Sequence, residues 1–387
     1  MYLTFAGYGL QDSLLGTAWP LLHADIHAPL TLAGNISLII YACTVVASLL
    51  STRAVRRFHT VRVTIASLGM TALALLGISF AASPVLVCLC AIPLGLGGGS
   101  IDVALSNYVA LHYKARHLNW LHCFWGLGAS LSSFIMSACI AYLGGWRMGY
   151  RTVALLQLGV VLALILSRRL WQAAPHAALG AAQQEESAAP LVTNRQALKR
   201  PGVKHAMLAL GCMSGLESSA GTWIASYLVT QKGLDSATAA AWAALYFGAI
   251  TVGRMLAGLV SNKLRGQSII RLGCCVAAAG IVLLLLPLPT AVGMLGFLLT
   301  GLGVAPFFPA MLHETPARFG KPYARAGIGL QMATANVGVM LLPSCVGLLA
   351  ARFSLAALPW VLVLLAVGAL WFSERCAAIT APSGPQA

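Results

Sequence analysis

Charged side chains are scarce in this chain. Asp, Glu, Lys and Arg make up 9% of its 387 residues, whereas 59% are hydrophobic and the mean hydropathy is +0.84. A soluble domain carries about 25% charged residues, because its surface must face water. The composition therefore excludes a soluble globular protein and indicates a chain that lives in a lipid bilayer.

Signatures of catalysis and metal binding are also missing. The ten cysteines include no CxxC pair, and the nine histidines form no cluster at metal-ligand spacing. The sequence has no nucleophile elbow and no phosphate-binding loop. We therefore expect no enzyme activity, no metal, no disulfide and no cofactor, and we expect the cysteines to pack as small apolar side chains.

Long apolar runs are what the sequence has in abundance. Runs of about 20 residues are long enough to cross the hydrocarbon core as helices. Twelve such runs cover residues 2–22, 32–52, 61–82, 84–112, 120–143, 148–170, 203–230, 236–261, 268–286, 289–312, 323–350 and 354–375. They are continuously apolar, unlike the alternating strands of a membrane barrel. The first run lacks a basic leader and holds Asp12 in its middle, so we expect it to stay as a span rather than to be cleaved as a signal peptide.

The formal charge of +15 raises the question of a nucleic-acid partner. Nineteen of the 24 Lys and Arg residues fall in loops and tails on one side of the twelve runs, and four fall on the other side. The remaining one, Arg254, is the one basic residue deep inside a run. This asymmetry follows the positive-inside rule, so it predicts a multi-pass protein of the inner membrane with both termini cytoplasmic. No nucleic-acid partner is needed to explain the charge.

The polar stretch 171–202 divides the runs into six and six. We predict an N-terminal six-helix bundle over 1–170, a cytoplasmic linker over 171–202, a C-terminal six-helix bundle over 203–376 and a disordered tail over 377–387. A membrane receptor or scaffold would need a sensing domain outside the bilayer. The longest loop is this linker of about thirty residues, which argues against that class.

The two halves resemble each other in sequence. Asp12–Thr17 and Glu217–Thr222 place an acid, a Ser and a Gly-Thr pair at equivalent positions. Further matches at offsets near 205 to 210 pair Gly95 with Gly301, Gly97 with Gly303, Gly128 with Gly338 and Thr44 with Thr251. Duplication of a six-helix unit is typical of secondary transporters. We therefore predict an all-α membrane protein with 12 transmembrane helices in two pseudo-symmetric six-helix bundles.

Five motifs carry a resemblance to a known family: Gly9–Pro20, Arg56–Thr60, Gly95–Asp102 with Asn107, Trp120–Ala129, and Gly253-Arg254 followed by Gly258. With these motifs the chain resembles the major facilitator superfamily of transporters, and within it the fucose-permease-like branch. Two departures stand out. Ser51 and His59 occupy glycine positions of the loop between spans two and three, where the usual Asp is also absent, and Ser132-Ser133 stands where relatives have Gly-Pro. The second departure argues against drug efflux.

Three acids lie deep inside the predicted spans, away from their ends: Asp12, Asp102 and Glu217. An ionisable side chain in hydrocarbon is costly, and it marks a functional site by default. The resemblance implies that Asp12 and Asp102 carry proton coupling and sugar contact, although Asp12 could instead make a helix-to-helix hydrogen bond. Glu217, in what we expect to be a kinked part of its span, either takes part in coupling or substrate binding or forms a structural ion pair with Arg254.

Polar and aromatic side chains near these acids are candidates for substrate binding. Sugars stack on aromatic rings and bind amide and imidazole groups through their hydroxyls. The candidates are Asn107, His122, Trp125, Trp19, Trp223, Gln331 and Asn336. Each Trp could alternatively anchor the protein at the membrane interface or simply pack. Gln331 and Asn336 are about 140° apart on a helix, so both cannot face a cavity squarely, and we favour Asn336.

These features predict a secondary active transporter that moves a small, polar, sugar-like solute by alternating access, as a proton-coupled symporter. The partners are then the solute, protons and the bilayer, and we expect a monomer. Pro306, Pro309 and Pro343 are candidates for gating bends. The alternative is a proton-driven exporter of amphipathic drugs or lipids, whose cavity would be lined by Met, Phe and Leu.

Overall fold

The computed structural model describes residues 1–112, 115–172, 192–260 and 264–381. Every regular element in these ranges is a helix, so the all-α prediction is confirmed. The helices are α1 (Tyr2–Asp12), α2 (Leu14–Asp25), α3 (Leu32–Phe58), α4 (Thr60–Ser79), α5 (Pro84–His112), α6 (Ala115–Tyr142), α7 (Trp146–Gln172), α8 (Asn194–Lys199), α9 (Val203–Lys232), α10 (Ser236–Val260), α11 (Gly266–Leu285), α12 (Thr290–Val304), α13 (Phe307–Phe319), α14 (Lys321–Arg352) and α15 (Leu358–Thr380), with a 3₁₀ turn at Leu355–Ala357.

Ten helical segments among the described residues are long and apolar enough to cross a membrane, with α12 and α13 counted together as one. The two remaining predicted spans are α1–α2 and α9. These two contain Asp12 and Glu217, the acids of the repeated phrases. The first is interrupted at Ser13, and the second carries polar side chains along its 30 residues. Asp12 and Glu217 thus lie on the two predicted spans that do not meet the length and hydropathy of the other ten.

Helix interruptions agree only partly with the sequence. The break at Ala305–Pro306, between α12 and α13, lies where Pro306 predicts a bend. The expected kink at Glu217 is not a break, because α9 is continuous, and α14 also continues through Pro343. The break that the sequence does not announce is at Ser13, directly after Asp12.

The predicted linker and tail differ from what the structure describes. Most of the linker, 173–191, lies outside the described residues, and its end holds α8, which begins with a capping box formed by Thr193 and Gln196. The last helix continues to Thr380, so residues 377–380 are helical rather than part of a disordered tail. Residues 382–387 of the predicted tail lie outside the described residues.

Equivalent glycines pack equivalent helices in the two halves. A Cβ on Gly128 would lie 2.1 Å from Ala6 O, and one on Gly338 would lie 2.3 Å from Gly211 O. Ala6 and Gly211 each precede the acid of their repeat by six residues. Backbones can approach this closely only where a helix lacks side chains, as is common in membrane bundles.

A hydrogen bond also recurs in both halves. Ser13 Oγ donates to Ala129 O at 2.7 Å, and Ser218 Oγ donates to Val339 O at 3.3 Å. Both serines directly follow the repeat acid, and both acceptors directly follow the packing glycine. The sequence duplication is therefore a duplication of packing as well.

The chain groups into two compact units by packing. In the described ranges the first unit contains residues 1–172, Gly221–Gly248 and Pro343–Ala357, and the second contains 192–220, Ala249–Leu342 and 358–381. The predicted domains follow the sequence repeat, whereas these units group the residues that pack against each other. The difference arises because one end of each of α9, α10 and α14 packs with α1–α7.

Candidate functional site

Asp12 lies at the C-terminal end of α1, next to the helix break. Trp125 Nε1 on α6 donates a hydrogen bond to Asp12 Oδ2 at 2.5 Å. The sequence places Asp12 and Trp125 113 positions apart. Close packing of Gly9 against Trp125 O and of Gly128 against Ala6 O brings them together.

Asp102 lies on α5 in the same unit. Ser106 Oγ, one turn further along, donates to Asp102 Oδ1 at 3.3 Å. Asp12 and Asp102 are close enough to interact electrostatically, and both interact with Tyr8. Both acids therefore lie in the first unit, within electrostatic range of one tyrosine.

Hydroxyl groups stabilise the break beside Asp12. Ser13 Oγ is 2.7 Å from Ser132 Oγ and accepts a hydrogen bond from Ser133 Oγ at 2.8 Å. All three side chains are buried. The Ser132-Ser133 pair, which departs from the Gly-Pro of relatives, thus ties α6 to the point where α1 ends.

The glycines of α5 divide into two groups. A Cβ on Gly95, Gly97 or Gly99 would lie 2.1 Å from Ile40 O, 2.7 Å from Ser67 O or 2.3 Å from Thr44 O, so these three let backbones of α3 and α4 approach. A Cβ on Gly98 would instead meet side chains, 2.8 Å from Gln11 Nε2 and 3.1 Å from the Tyr8 ring. Gly98 therefore provides space for groups beside Asp12.

A cavity of about 40 Å³ lies against Asp12. Its polar lining consists of Gln11, Asp12, Ser37, Tyr41, Tyr150 and Thr222, and its apolar lining consists mainly of Leu, Ile and Ala side chains. The volume suits about one water molecule and is too small for a sugar. In this conformation the cavity is closed around its polar groups.

Close backbone contacts in the first unit lie beside this cavity. A Cβ on Gly16 would lie 2.5 Å from Gly221 O and 2.9 Å from Thr222 O, and these residues line the cavity. Gly16 and Gly221 are the equivalent glycines of the two repeated phrases. Nearby, Ser344 Oγ donates to Gly34 O at 2.7 Å. The ends of α9 and α14 thus pack directly on α2 and α3.

Glu217 has a different partner from Asp12. Arg254 Nη2 on α10 lies 3.1 Å from Glu217 Oε1, with 18% and 20% of the two side chains exposed. The ion pair that the sequence offered as an alternative is therefore present. It lies in the second unit, and a carboxylate and a guanidinium in a low-dielectric environment neutralise each other there.

Two predicted binding residues, Trp19 and Trp223, are packed in the protein interior instead. Trp19 and Trp223 are fully buried, and their indole N–H groups donate to Leu30 O at 2.8 Å and Pro343 O at 2.9 Å. Neither lines the cavity. We therefore correct their assignment as stacking rings to packing residues that anchor loop and helix backbone.

The remaining predicted residues are not gathered at the cavity either. His122 packs edge-on against Phe5, with ring centroids 5.4 Å apart, and Asn107 is exposed on α5. Gln331 is buried and donates to Thr315 Oγ1 at 2.8 Å, whereas Asn336 is exposed, in keeping with their different directions on α14. None of the four lines the Asp12 cavity.

Most of the cavity's polar groups were not predicted from the sequence. Gln11, Ser37, Tyr41, Tyr150 and Thr222 were not singled out, although Gln11 adjoins Asp12 and Thr222 ends the second repeated phrase. A polar side chain in an apolar run was the signal available for Gln11. Whether Tyr41 and Tyr150 face the cavity depends on how α3 and α7 pack.

A polar network in the second unit was also missed. Arg271 binds both oxygens of Glu374 at 2.6 and 2.7 Å, and Gln267 Nε2 donates to Glu374 Oε1 at 2.7 Å. Arg318 Nη2 in turn donates to Gln267 Oε1 at 2.6 Å. The network joins α11, α13 and α15 through charge-assisted hydrogen bonds.

Comparison with known proteins identifies the type of chain. A family model described as Major Facilitator Superfamily matches residues 1–323. Bypass of stop codon protein 6 from Saccharomyces cerevisiae is 22% identical over 280 residues, which is 67% of this chain. The chain spans 56% of the length of that protein.

Solved structures share the fold over nearly the whole chain. The crystal structure of the nucleoside transporter NupG superposes with a TM-score of 0.76 at 12% identity, covering 98% of both chains. A bacterial homolog of the human lysosomal transporter Spinster, in an inward-facing and occupied conformation, superposes with a TM-score of 0.71 at 12% identity, covering 98% of this chain and 95% of that one. At this identity the likeness concerns the fold, and it confirms the predicted twelve-helix architecture.

Proposed function

The chain belongs to the major facilitator superfamily and is a secondary transporter, and from this premise we propose that it carries a small, polar, sugar-like solute together with protons. We place it in the fucose-permease-like branch on the motifs described above. As in other transporters built from repeats, access to the site would alternate between the two sides of the membrane.

The observation that carries this proposal is the polar lining of the cavity beside Asp12. Six of its fifteen lining residues bear hydroxyl, amide or carboxyl groups, and the others include three Leu but no Met or Phe. Such groups suit a solute with several hydroxyls, because each buried polar group needs a hydrogen-bond partner. The same lining supports a polar solute over the exporter of amphipathic drugs or lipids.

Proton coupling is proposed from the placement of the acids. Asp12 and Asp102 interact electrostatically inside the bundle, where two negative charges are costly and protonation removes that cost. Asp12 also directly precedes the break between α1 and α2. We assign coupling to Asp12 and Asp102, and we assign Glu217, which pairs with Arg254, a supporting structural role.

The coupling role is tested with Asp12→Asn in proteoliposomes. We expect uphill solute uptake driven by a proton gradient to be lost, while exchange of solute by counterflow persists, because the neutral amide cannot release a proton. Asp25→Asn is the matched control, since Asp25 forms an exposed pair with Arg147 at 2.8 Å and should contribute little. Equal loss of uptake and counterflow in Asp12→Asn would contradict a pure coupling role.

The solute is sought by a thermal-shift screen of the purified protein against sugars, nucleosides, organic acids and drugs at two pH values. Nucleosides enter the panel because NupG, whose fold this chain shares, is a nucleoside transporter. A bound solute raises the apparent melting temperature of the state that it selects. Stabilisation by amphipathic drugs alone would favour the exporter.

For the cell, we propose a monomer in the inner membrane with both termini in the cytoplasm. The support is the excess of Lys and Arg in the loops on one side of the spans.

A further inference from the structure

The side-chain amide of Gln11 has an unusual environment. Gln11 is only 5% exposed and lines the cavity beside Asp12. Among the described residues its Oε1 has no hydrogen-bond partner. Buried polar atoms without a partner are rare in folded proteins, and each one needs an explanation such as a ligand.

The orientation of this amide follows from its neighbours. The amide nitrogen is the end of the side chain that faces Gly98. Gly98 leaves room for this nitrogen, because a Cβ there would lie 2.8 Å from Nε2. The carbonyl oxygen is thus the end of the amide that is left for another partner.

Two other buried glutamines show what a structural amide looks like in this protein. Gln157 is bonded at both ends, since Nε2 donates to Gly7 O at 2.6 Å and Oε1 accepts from Thr71 Oγ1 at 3.3 Å. Gln331 also has an unpartnered Oε1, but its Nε2 binds Thr315 Oγ1 and it does not line the cavity. Gln11 alone of the three combines an unpartnered acceptor with a cavity wall.

We propose that Gln11 is a specificity-determining residue, whose Oε1 accepts a hydrogen bond from a hydroxyl group of the transported solute. This inference rests on the proposed function and names the chemistry that the site demands, namely a hydroxyl donor at one fixed position. Gln11 and Asp12 line the same cavity, so a solute held by the amide lies beside the proposed coupling acid. The cavity must widen for the solute to enter, and the contact of Gly16 with Gly221 beside it is where widening would begin.

The test measures recognition of single hydroxyl groups. Purified wild-type protein and Gln11→Leu are titrated calorimetrically with galactose, glucose and uridine and with the single-deoxy analogues of each. For one hydroxyl position we expect the wild type to bind the deoxy analogue about 10- to 100-fold more weakly than the parent. In Gln11→Leu this ratio should fall to about one, whereas the ratios for the other positions should remain.

Two further variants separate recognition from folding. Gly98→Ala keeps Gln11 but requires the amide to shift, so the same ratio should fall partly. Gln231→Leu changes an exposed glutamine in the same way and should leave every ratio unchanged. Without solute, Gln11→Leu should melt no lower than wild type, because it removes an unpaired buried acceptor.

The outcomes are distinguishable. An unchanged set of ratios in Gln11→Leu would overturn the assignment of Gln11 and indicate that its carbonyl binds water, while leaving the proposed function intact. If no sugar or nucleoside binds the wild type, the proposed solute class fails, and the assignment of Gln11 fails with it.

Discussion

At the scale of single residues, three tryptophans donate the same hydrogen bond to different acceptors. Trp125 donates to the carboxylate of Asp12, whereas Trp19 and Trp223 donate to backbone carbonyls. A hydrogen bond to a charged group contributes more than one between neutral groups. The same chemical group therefore serves the site in one case and the scaffold in the other two.

This contrast gives a matched pair of substitutions. Trp125→Phe should lower proton-driven uptake about tenfold, because it removes a charge-assisted hydrogen bond from Asp12. Trp223→Phe should instead lower the free energy of unfolding by about 1–3 kcal/mol, because it leaves Pro343 O unpaired. Uptake in proteoliposomes and thermal melting of both variants check this. A loss of coupling in Trp223→Phe with normal melting would reverse the assignments.

The ion pair of Glu217 and Arg254 allows a double-mutant cycle. Arg254→Met should destabilise the protein by about 3 kcal/mol, because it removes the positive charge that faces a largely buried carboxylate. The double variant Glu217→Gln/Arg254→Met should lie within about 1 kcal/mol of wild type. Chemical denaturation measures both. If the double variant is stable but inactive in transport, Glu217 takes part in coupling rather than in structure.

The acids were the candidate site residues that could be predicted from the sequence. Removing a carboxylate from water is costly in any membrane fold, so Asp12 and Asp102 were recognisable without knowing their neighbours. The role of Trp19 depended on its neighbours, and it was assigned wrongly. Gln11 was overlooked for a related reason, since only packing against Gly98 and the cavity reveals its unpaired carbonyl.

At the scale of helices, the repeated phrases meet each other. Gly16 on α2 and Gly221 on α9 occupy the same place in their repeats, and their backbones touch beside the cavity. Glycine is required at this crossing, because a Cβ on Gly16 would lie 2.5 Å from Gly221 O. The contact closes the cavity on that side in this conformation.

Gly16→Ala should therefore disfavour the closed arrangement. We expect solute uptake to fall at least tenfold, and backbone amide hydrogen exchange in residues 221–232 to speed up, because the added methyl group separates α2 from α9. Gly159→Ala is the control, since no atom lies within 4 Å of a Cβ at Gly159. There the change should leave transport intact and add at most about 1 kcal/mol of helix stability. Unchanged exchange in Gly16→Ala would mean that the contact does not hold the closed state.

The lengths of the apolar runs predicted the helix boundaries, but the sequence did not predict every break within a span. Pro306 announced the interruption between α12 and α13, because proline lacks an amide hydrogen and clashes with the preceding turn. The break at Ser13 has no proline or glycine at its position. At this break, Ser13 is hydrogen-bonded to Ser132 and Ser133 on α6, which lie more than a hundred residues away in the sequence.

At the scale of the whole molecule, the distribution of basic residues predicts the orientation. If a recognition sequence for a specific protease is inserted after Gly180 in the predicted linker, we expect cleavage in inside-out membrane vesicles and protection in right-side-out vesicles, because that segment is flanked by basic residues. Immunoblotting of the two fragments measures this. Cleavage in right-side-out vesicles alone would reverse the orientation.

The sequence by itself determined that this protein is an all-helical, duplicated membrane transporter with acids in its spans. Those properties depend on the free energy of transferring each side chain between water and hydrocarbon, which is the same in any fold. Only the tertiary structure decided that Asp12 pairs with Trp125 and Glu217 with Arg254, and that Gln11 borders a closed polar cavity. These partnerships depend on how close helices approach, which is set by glycines facing distant backbone atoms and not by the local pattern of the chain.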